Sequence, residues 1–153
     1  MRRRSEPIQR LIAAVAVLAS VIATDAIAQP RQAAPLAGAW ILETAPHKVS
    51  GCVIRGAATA TPARGGAFDV RIQVKESCPG GGAFTADEQC RAVVSAPRVT
   101  MSCTVVRAVP DNYNADSFQL EWRGRDLMVG RLVDTGFWDE PVTWRRAAPA
   151  MVS

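Results

Sequence analysis

The chain has 153 residues, 18 of them basic and 14 acidic, with a formal net charge of +4. Its arginines are scattered along the chain and do not form the basic stripe of a nucleic-acid surface, so no nucleic-acid partner is predicted. This length predicts one domain with a sizeable core and leaves no room for a second.

The N-terminus has the pattern of an export signal. Arginines in the first ten positions precede an uncharged apolar run of 13 residues from Leu11 to Ala23. A membrane anchor or a buried helix is the alternative, but a helix needs about 20 apolar residues to cross a bilayer. Ala26-Ile27-Ala28 is a small-x-small cleavage pattern. We predict a signal peptide over 1–28 and an exported protein, periplasmic or extracellular, with no stable membrane span after cleavage.

Removal of that segment changes the charge balance. Four of the 18 basic and two of the 14 acidic residues lie within 1–28, which leaves 14 against 12 and a net charge of +2. The next residues, 29–35, read QPRQAAP and are predicted to be a flexible leader.

From there on, apolar and polar residues alternate with a period of two. The clearest case is AFDVRIQVK, in which Phe68, Val70, Ile72 and Val74 share one face, as in a half-buried strand. Turn signals rich in glycine, proline, asparagine and aspartate separate such runs. The segment TADEQC is compatible with one helical turn. The predicted strands are 37–44, 48–56, 67–76, 88–95, 98–107, 116–124, 126–134 and 140–146.

Short strands at even spacing without helical crossovers predict antiparallel pairing in an all-β domain. Eight is a strand number at which a meander closes into a small barrel, and closure removes the exposed edges of the sheet. We predict a single antiparallel eight-stranded up-and-down barrel over 36–147, followed by a tail, 148–153. A two-sheet β-sandwich is the alternative.

The cysteines predict disulfides because an exported chain meets an oxidising compartment. A metal site is disfavoured, since there is no CxxC pair and a single histidine. In the hairpin CRAVVSAPRVTMSC, a turn at 96–97 sets Cys90 opposite Cys103 within disulfide reach. We predict Cys90–Cys103 with Cys52–Cys78. The rival pairing joins Cys78 to Cys90 and Cys52 to Cys103.

The two ends of the predicted domain carry a further pattern. Gly38-x-Trp40 opens the first strand and Trp144-Arg145-Arg146 closes the last. This pairing resembles the calycin barrels of lipocalin type, and LAGAWIL resembles the opening of the small secreted bacterial inhibitors of metalloproteases. The resemblance implies a barrel in which Trp40 packs against Arg145 or Arg146, an attractive contact between an indole face and a guanidinium. The chain lacks the central turn motif and C-terminal helix of lipocalins and has four cysteines where the inhibitors have two.

No catalytic constellation emerges, so the protein is not predicted to be an enzyme. His47 lies at a predicted exposed turn, without a nucleophile-elbow serine nearby. Neighbouring acids such as Asp87-Glu88 and Asp139-Glu140 point to opposite faces of a strand and cannot converge on one substrate, as general acid/base catalysis requires. They are expected to be solvated turn residues. DNYNAD only weakly matches calcium-loop spacing. No cofactor or metal is predicted.

Phe137 and Trp138 are two large aromatic residues in a predicted loop, where they either fold back as a lid or contact a partner. The sequence favours a small exported barrel with a non-catalytic binding role, its ligand a small apolar molecule in the barrel or a surface held at one open end. The alternatives are an inhibitor of a secreted enzyme and an envelope protein without a discrete ligand.

Overall fold

The computed structural model describes residues 36–133 and 139–148. The predicted signal peptide and leader lie outside the described residues, as does most of the predicted tail. A short 3-10 turn, Arg64–Gly66, lies between the second and third strands. The eight strands are β1 (Gly38–Thr44), β2 (Val53–Pro62), β3 (Ala67–Ser77), β4 (Ala83–Ser95), β5 (Arg98–Val109), β6 (Ser117–Trp122), β7 (Leu127–Val133) and β8 (Asp139–Arg146).

Each strand pairs antiparallel with its neighbours in the chain, and β1 also pairs with β8. The sheet therefore closes in strand order, β1 to β8. This confirms the predicted eight-stranded up-and-down barrel and excludes the sandwich. Within the described ranges, no helix is long and apolar enough to cross a membrane.

The second strand differs from its predicted span, 48–56. Residues 47–52 form a turn in which Gly51 N–H donates to the His47 carbonyl and His47 N–H donates to the Cys52 carbonyl, each at 2.8 Å. The strand then continues through the small residues of AATATP. These residues lack an alternation of large apolar side chains, and they are extended because they pair with β3, for example Ala60 with Val70.

The fourth strand begins earlier than the predicted residue 88, and the suggested helical turn at TADEQC is wrong. This segment lies inside β4, where Phe84 pairs with Glu76 and Ala86 pairs with Val74. Its residues have little intrinsic preference for a strand, so the ladder with β3 decides their conformation.

The hairpin of β4 and β5 has the predicted register. Cys90 faces Cys103, and Val94 faces Val99. A register shift follows at Asp87/Glu88, since Asp87 pairs with Arg107 while Glu88 pairs with Val105. Such a β-bulge adds one residue to a strand and increases its local twist.

The barrel interior is filled by side chains that alternate inward from all eight strands. The largest fully buried side chains include two tryptophans, Trp40 and Trp144, together with Phe118. The rings of Phe118 and Trp144 meet edge to face, with centroids 5.2 Å apart. The remaining large members are Leu36, Leu42, Ile54, Ile72, Met128, Leu132, Glu88, Val70 and Val99.

Candidate functional site

One end of the barrel is closed by the contact between the first strand and the last. Trp40 and Arg146 are register partners, and the guanidinium carbon lies 4.4 Å from the centre of the Trp40 ring. Arg146 also donates from Nη1 to the Ala37 carbonyl at 2.9 Å and from Nε to Asp126 at 3.0 Å. Of the two arginines that the calycin resemblance offers, Arg146 is the one that contacts the Trp40 ring. Arg145 is an exposed residue that pairs with Ile41.

Gly38 is needed for this contact. Its φ is +121°, and a Cβ at this position would lie 2.8 Å from Arg146 Nη1. The Trp40 indole N–H donates to the Leu36 carbonyl at 2.8 Å, and the Trp122 ring packs edge to face on Trp40 at 5.6 Å. This end of the barrel is packed shut, so the GAW motif has a structural role here.

The loops after β1, β3 and β5 meet at the opposite end of the barrel. They surround a cavity of about 320 Å³, which we call the mouth cavity. This volume lies at the lower end of the range for small-molecule sites, roughly 300–1,000 Å³. Its lining includes His47 and Ser50 from the first loop, Glu76 and Phe84 from the facing ends of β3 and β4, and Tyr113 and Asp116 from the loop before β6.

Two disulfides are present, and they are the pairs that the sequence predicts. Cys90–Cys103 joins β4 to β5, and Cys52–Cys78 joins the two loops that form one wall of the mouth cavity. Glu76 lies close to the second pair and Glu88 close to the first. Because these sulfurs are bonded to each other, neither group offers a thiolate for a metal ion.

Tyr113 is an aromatic residue with a polar hydroxyl group in the wall of the mouth cavity. Its hydroxyl donates to Asp116 Oδ2 at 3.1 Å, and its ring centroid lies 6.3 Å from that of Phe84. Burial raises the pKa of Tyr113 well above its ordinary value, and the negative charges of Asp116, Glu88 and Glu76 raise it further. Tyr113 therefore stays protonated and remains a hydrogen-bond donor.

The carboxylates beside Tyr113 give the mouth cavity a negative potential. Asp116 and Glu88 are each 2% exposed, and Glu88 Oε1 accepts a hydrogen bond from the Asp116 backbone N–H at 2.8 Å. Glu76 and Asp116 line the cavity directly, whereas no lysine or arginine is among the described residues that line it. Glu76 is half-buried, so the acidic groups at this end of the barrel lie on the cavity wall or directly behind it.

His47 and Ser50 are linked within the turn before β2. His47 Nδ1 lies 2.9 Å from Ser50 Oγ and accepts a hydrogen bond from Ser50 N–H at 3.2 Å. Ser50 Oγ in turn accepts from Cys52 N–H at 3.3 Å. His47 is half-buried against the mouth cavity, although the sequence predicts an exposed turn. These bonds hold the turn together.

Two acidic residues differ from the sequence expectation of solvated carboxylates. Glu88 and Glu140 are buried, while their neighbours Asp87 and Asp139 point outward. Strand alternation directs the two glutamate side chains inward, where each accepts a hydrogen bond from a backbone N–H group. Glu140 Oε1 accepts from Lys48 N–H at 3.4 Å, the counterpart of the bond from Asp116 to Glu88.

The sequence did not single out Glu76, Phe84 or Tyr113 as site residues. One signal was available, because Tyr113 is the only tyrosine of the chain and lies in the polar turn DNYNAD. A large aromatic ring in such a turn needs a surface to pack on. The predicted binding loop with Phe137 and Trp138 lies outside the described residues.

Comparison with known proteins identifies the architecture. No protein-family model matches the chain, and no curated protein does. Solved structures that match include the redesigned β-barrel mFAP1 bound to DFHBI, at 16% identity and a TM-score of 0.57, over 74% of this chain and 98% of that one. A fluorescence-activating β-barrel designed de novo matches at 16% identity and a TM-score of 0.54, over 75% and 96% of the two chains. At such low identities the likeness shows a shared barrel fold.

Proposed function

We propose that this protein is an exported, non-catalytic binding protein that holds a small molecule in the mouth cavity. The observation that carries the proposal is the composition of that cavity. Two aromatic side chains, Phe84 and Tyr113, lie beside the polar groups of Glu76, Asp116 and His47. An apolar surface with a few converging polar groups is typical of small-molecule sites.

The barrel interior is less suited to a ligand. Trp144, Ile54 and Met128 are 0% exposed and occupy it together with Phe118. A ligand there would have to displace side chains that pack at the density of a protein core, which costs several kcal/mol for each large residue. The mouth cavity already has space for a small ligand, so binding there does not require core side chains to move.

Export is supported by the cysteines and by the N-terminal sequence. Two disulfides are usual in an oxidising compartment and rare in the cytosol. The basic and apolar segments of residues 1–28 agree with this compartment.

The barrel architecture is compatible with a binding role. The structure of mFAP1, a barrel of this shape, is that of a complex with the small molecule DFHBI. That ligand belongs to mFAP1, and the chemistry of the site in this chain has to come from its own residues.

A fragment screen read by NMR tests the proposal. Because Tyr113 is the only tyrosine, labelling of tyrosine rings with ¹³C reports on the mouth cavity alone. We expect ligands of the protein to shift this signal, and Phe84→Ala to weaken their binding about tenfold. Phe68→Ala is the matched control, since Phe68 is also half-buried but lies near the closed end. Binding that leaves Tyr113 unchanged, or that responds equally to both variants, contradicts a site at the mouth.

A further inference from the structure

The mouth cavity combines aromatic rings with acidic groups, and this combination narrows the class of ligand. We propose that the cavity selects an organic cation, a small molecule with an amine or quaternary ammonium group on an apolar body. The inference rests on the binding function proposed above and adds the chemical class of the ligand.

The rings provide the first reason. Phe84 and Tyr113 are 6.3 Å apart, and their planes are tilted by 47°. Both residues line the cavity, so a ligand there lies beside two aromatic rings. A cation within about 6 Å of an aromatic centre is attracted by the negative face of the ring.

The charges provide the second reason. Glu76 and Asp116 line the cavity, and Glu88 lies behind Asp116. The chain without the predicted signal peptide carries a formal charge of +2, so this acidic region runs against the overall sign of the protein. Glu76 is half-buried on the cavity wall, so salt screens its charge less than that of a fully exposed carboxylate.

A metal ion and an anion both fit these surroundings less well. Calcium takes six to eight oxygen ligands, whereas Asp116 Oδ2 already accepts from Tyr113 and Glu88 Oε1 from a backbone N–H. An anion would lie beside like charges, and no lysine or arginine is among the described lining residues. An organic cation places its charged end beside Glu76 and its apolar body against the rings.

Three aromatic probes of similar size separate these possibilities. They are phenethylamine, 2-phenylethanol and 3-phenylpropanoate, which carry a positive, a neutral and a negative head on the same ring. Binding to the full chain would be followed through the Tyr113 ring signal. We expect phenethylamine to bind at least about fivefold more tightly than either analogue, and this advantage to fall as salt is added.

Glu76→Gln and Glu121→Gln are the matched variants. Both remove one negative charge, but Glu121 lies in β6, forms a salt bridge with Arg123 and does not line the cavity. We expect Glu76→Gln to weaken phenethylamine about fivefold and to leave 2-phenylethanol unchanged, with less than a twofold effect of Glu121→Gln on either probe.

The outcomes distinguish the two proposals. If 2-phenylethanol or 3-phenylpropanoate shifts Tyr113 at concentrations as low as phenethylamine does, the preference for a cation is wrong while a binding site at the mouth stands. Equal effects of Glu76→Gln and Glu121→Gln also overturn the preference. If no probe shifts Tyr113, the cation inference fails, and the fragment screen then decides separately whether the mouth binds other molecules.

Discussion

Gly130 of β7 and Gln119 of β6 approach each other so closely that no side chain fits between them. A Cβ on Gly130 would lie 1.9 Å from the carbonyl oxygen of Gln119 and 2.7 Å from the Cα of Leu120. Both contacts are with backbone atoms, which cannot turn aside as a flexible side chain would. The spacing of β6 and β7 therefore depends on a glycine at this position.

Gly130→Ala is expected to destabilise the barrel by about 2–4 kcal/mol, because the two strands must separate to admit the methyl group. Chemical denaturation followed by tryptophan fluorescence measures this loss. Gly80→Ala is the control, since a Cβ there has nothing within 4 Å. An unchanged midpoint for Gly130→Ala would contradict the close approach.

Because the side chain of Arg146 helps to close the barrel and that of Arg145 does not, substitution of these two adjacent arginines should affect stability differently. Arg146→Met loses the contact with the Trp40 ring and the bonds to Ala37 and Asp126, at an expected cost of about 1–3 kcal/mol. Arg145→Met changes an exposed residue and is expected to shift stability by less than about 0.5 kcal/mol. Thermal unfolding of both variants provides the comparison, and equal effects would argue against a special role of Arg146.

Tyr113 predicts a loss of stability at alkaline pH. Its pKa is raised in the folded protein, so below about pH 10 both the folded and unfolded states keep the proton and the contribution of Tyr113 is fully present. Above about pH 10 the unfolded state loses this proton first. The free energy of unfolding then falls by about 1.4 kcal/mol per pH unit, until the folded tyrosine also ionises.

Two measurements check this behaviour. The absorbance of tyrosinate reports on Tyr113 alone, because the chain has one tyrosine, and should appear only as the protein unfolds. Tyr113→Phe is expected to cost about 1–2 kcal/mol at neutral pH, through the lost bond to Asp116, and to make the alkaline decline shallower. Tyrosinate formation near pH 10 in the folded protein would show that the ring is not buried as described.

The two disulfides predict different effects on binding. Replacing either pair by alanine is expected to cost about 2–4 kcal/mol, because the bonded cysteines are 13 and 26 positions apart and each bond restricts the unfolded chain. Loss of Cys52–Cys78 should also weaken ligands of the mouth cavity, whose wall it forms. Loss of Cys90–Cys103 should leave their affinity unchanged. Denaturation curves and NMR titrations of the two double variants test this contrast.

Much of the fold follows from local sequence patterns. The alternation of Val70, Ile72 and Val74 identifies β3, and the spacing of Cys90 and Cys103 around a short turn determines their register. The spans of β2 and β4 were predicted less well. Their residues at 57–62 and 83–87 are mostly small or polar, and they are extended only because β3 lies between the two strands and pairs with both.

From periodicity the sequence by itself predicted the strand number, and from the register of one hairpin it favoured Cys90–Cys103 over the rival pairing. The contact of Trp40 with Arg145 or Arg146 was implied by the calycin resemblance, and the fold decided between the two arginines. Only the tertiary structure decided where the candidate site lies. Glu76, Phe84 and Tyr113 come from separate strand ends and loops that converge when the barrel closes. Burial of Glu88 and Glu140 likewise depends on which backbone N–H groups the fold brings to them. Local sequence patterns do not predict these contacts, because they join residues that are far apart in the chain and become neighbours only in the folded barrel.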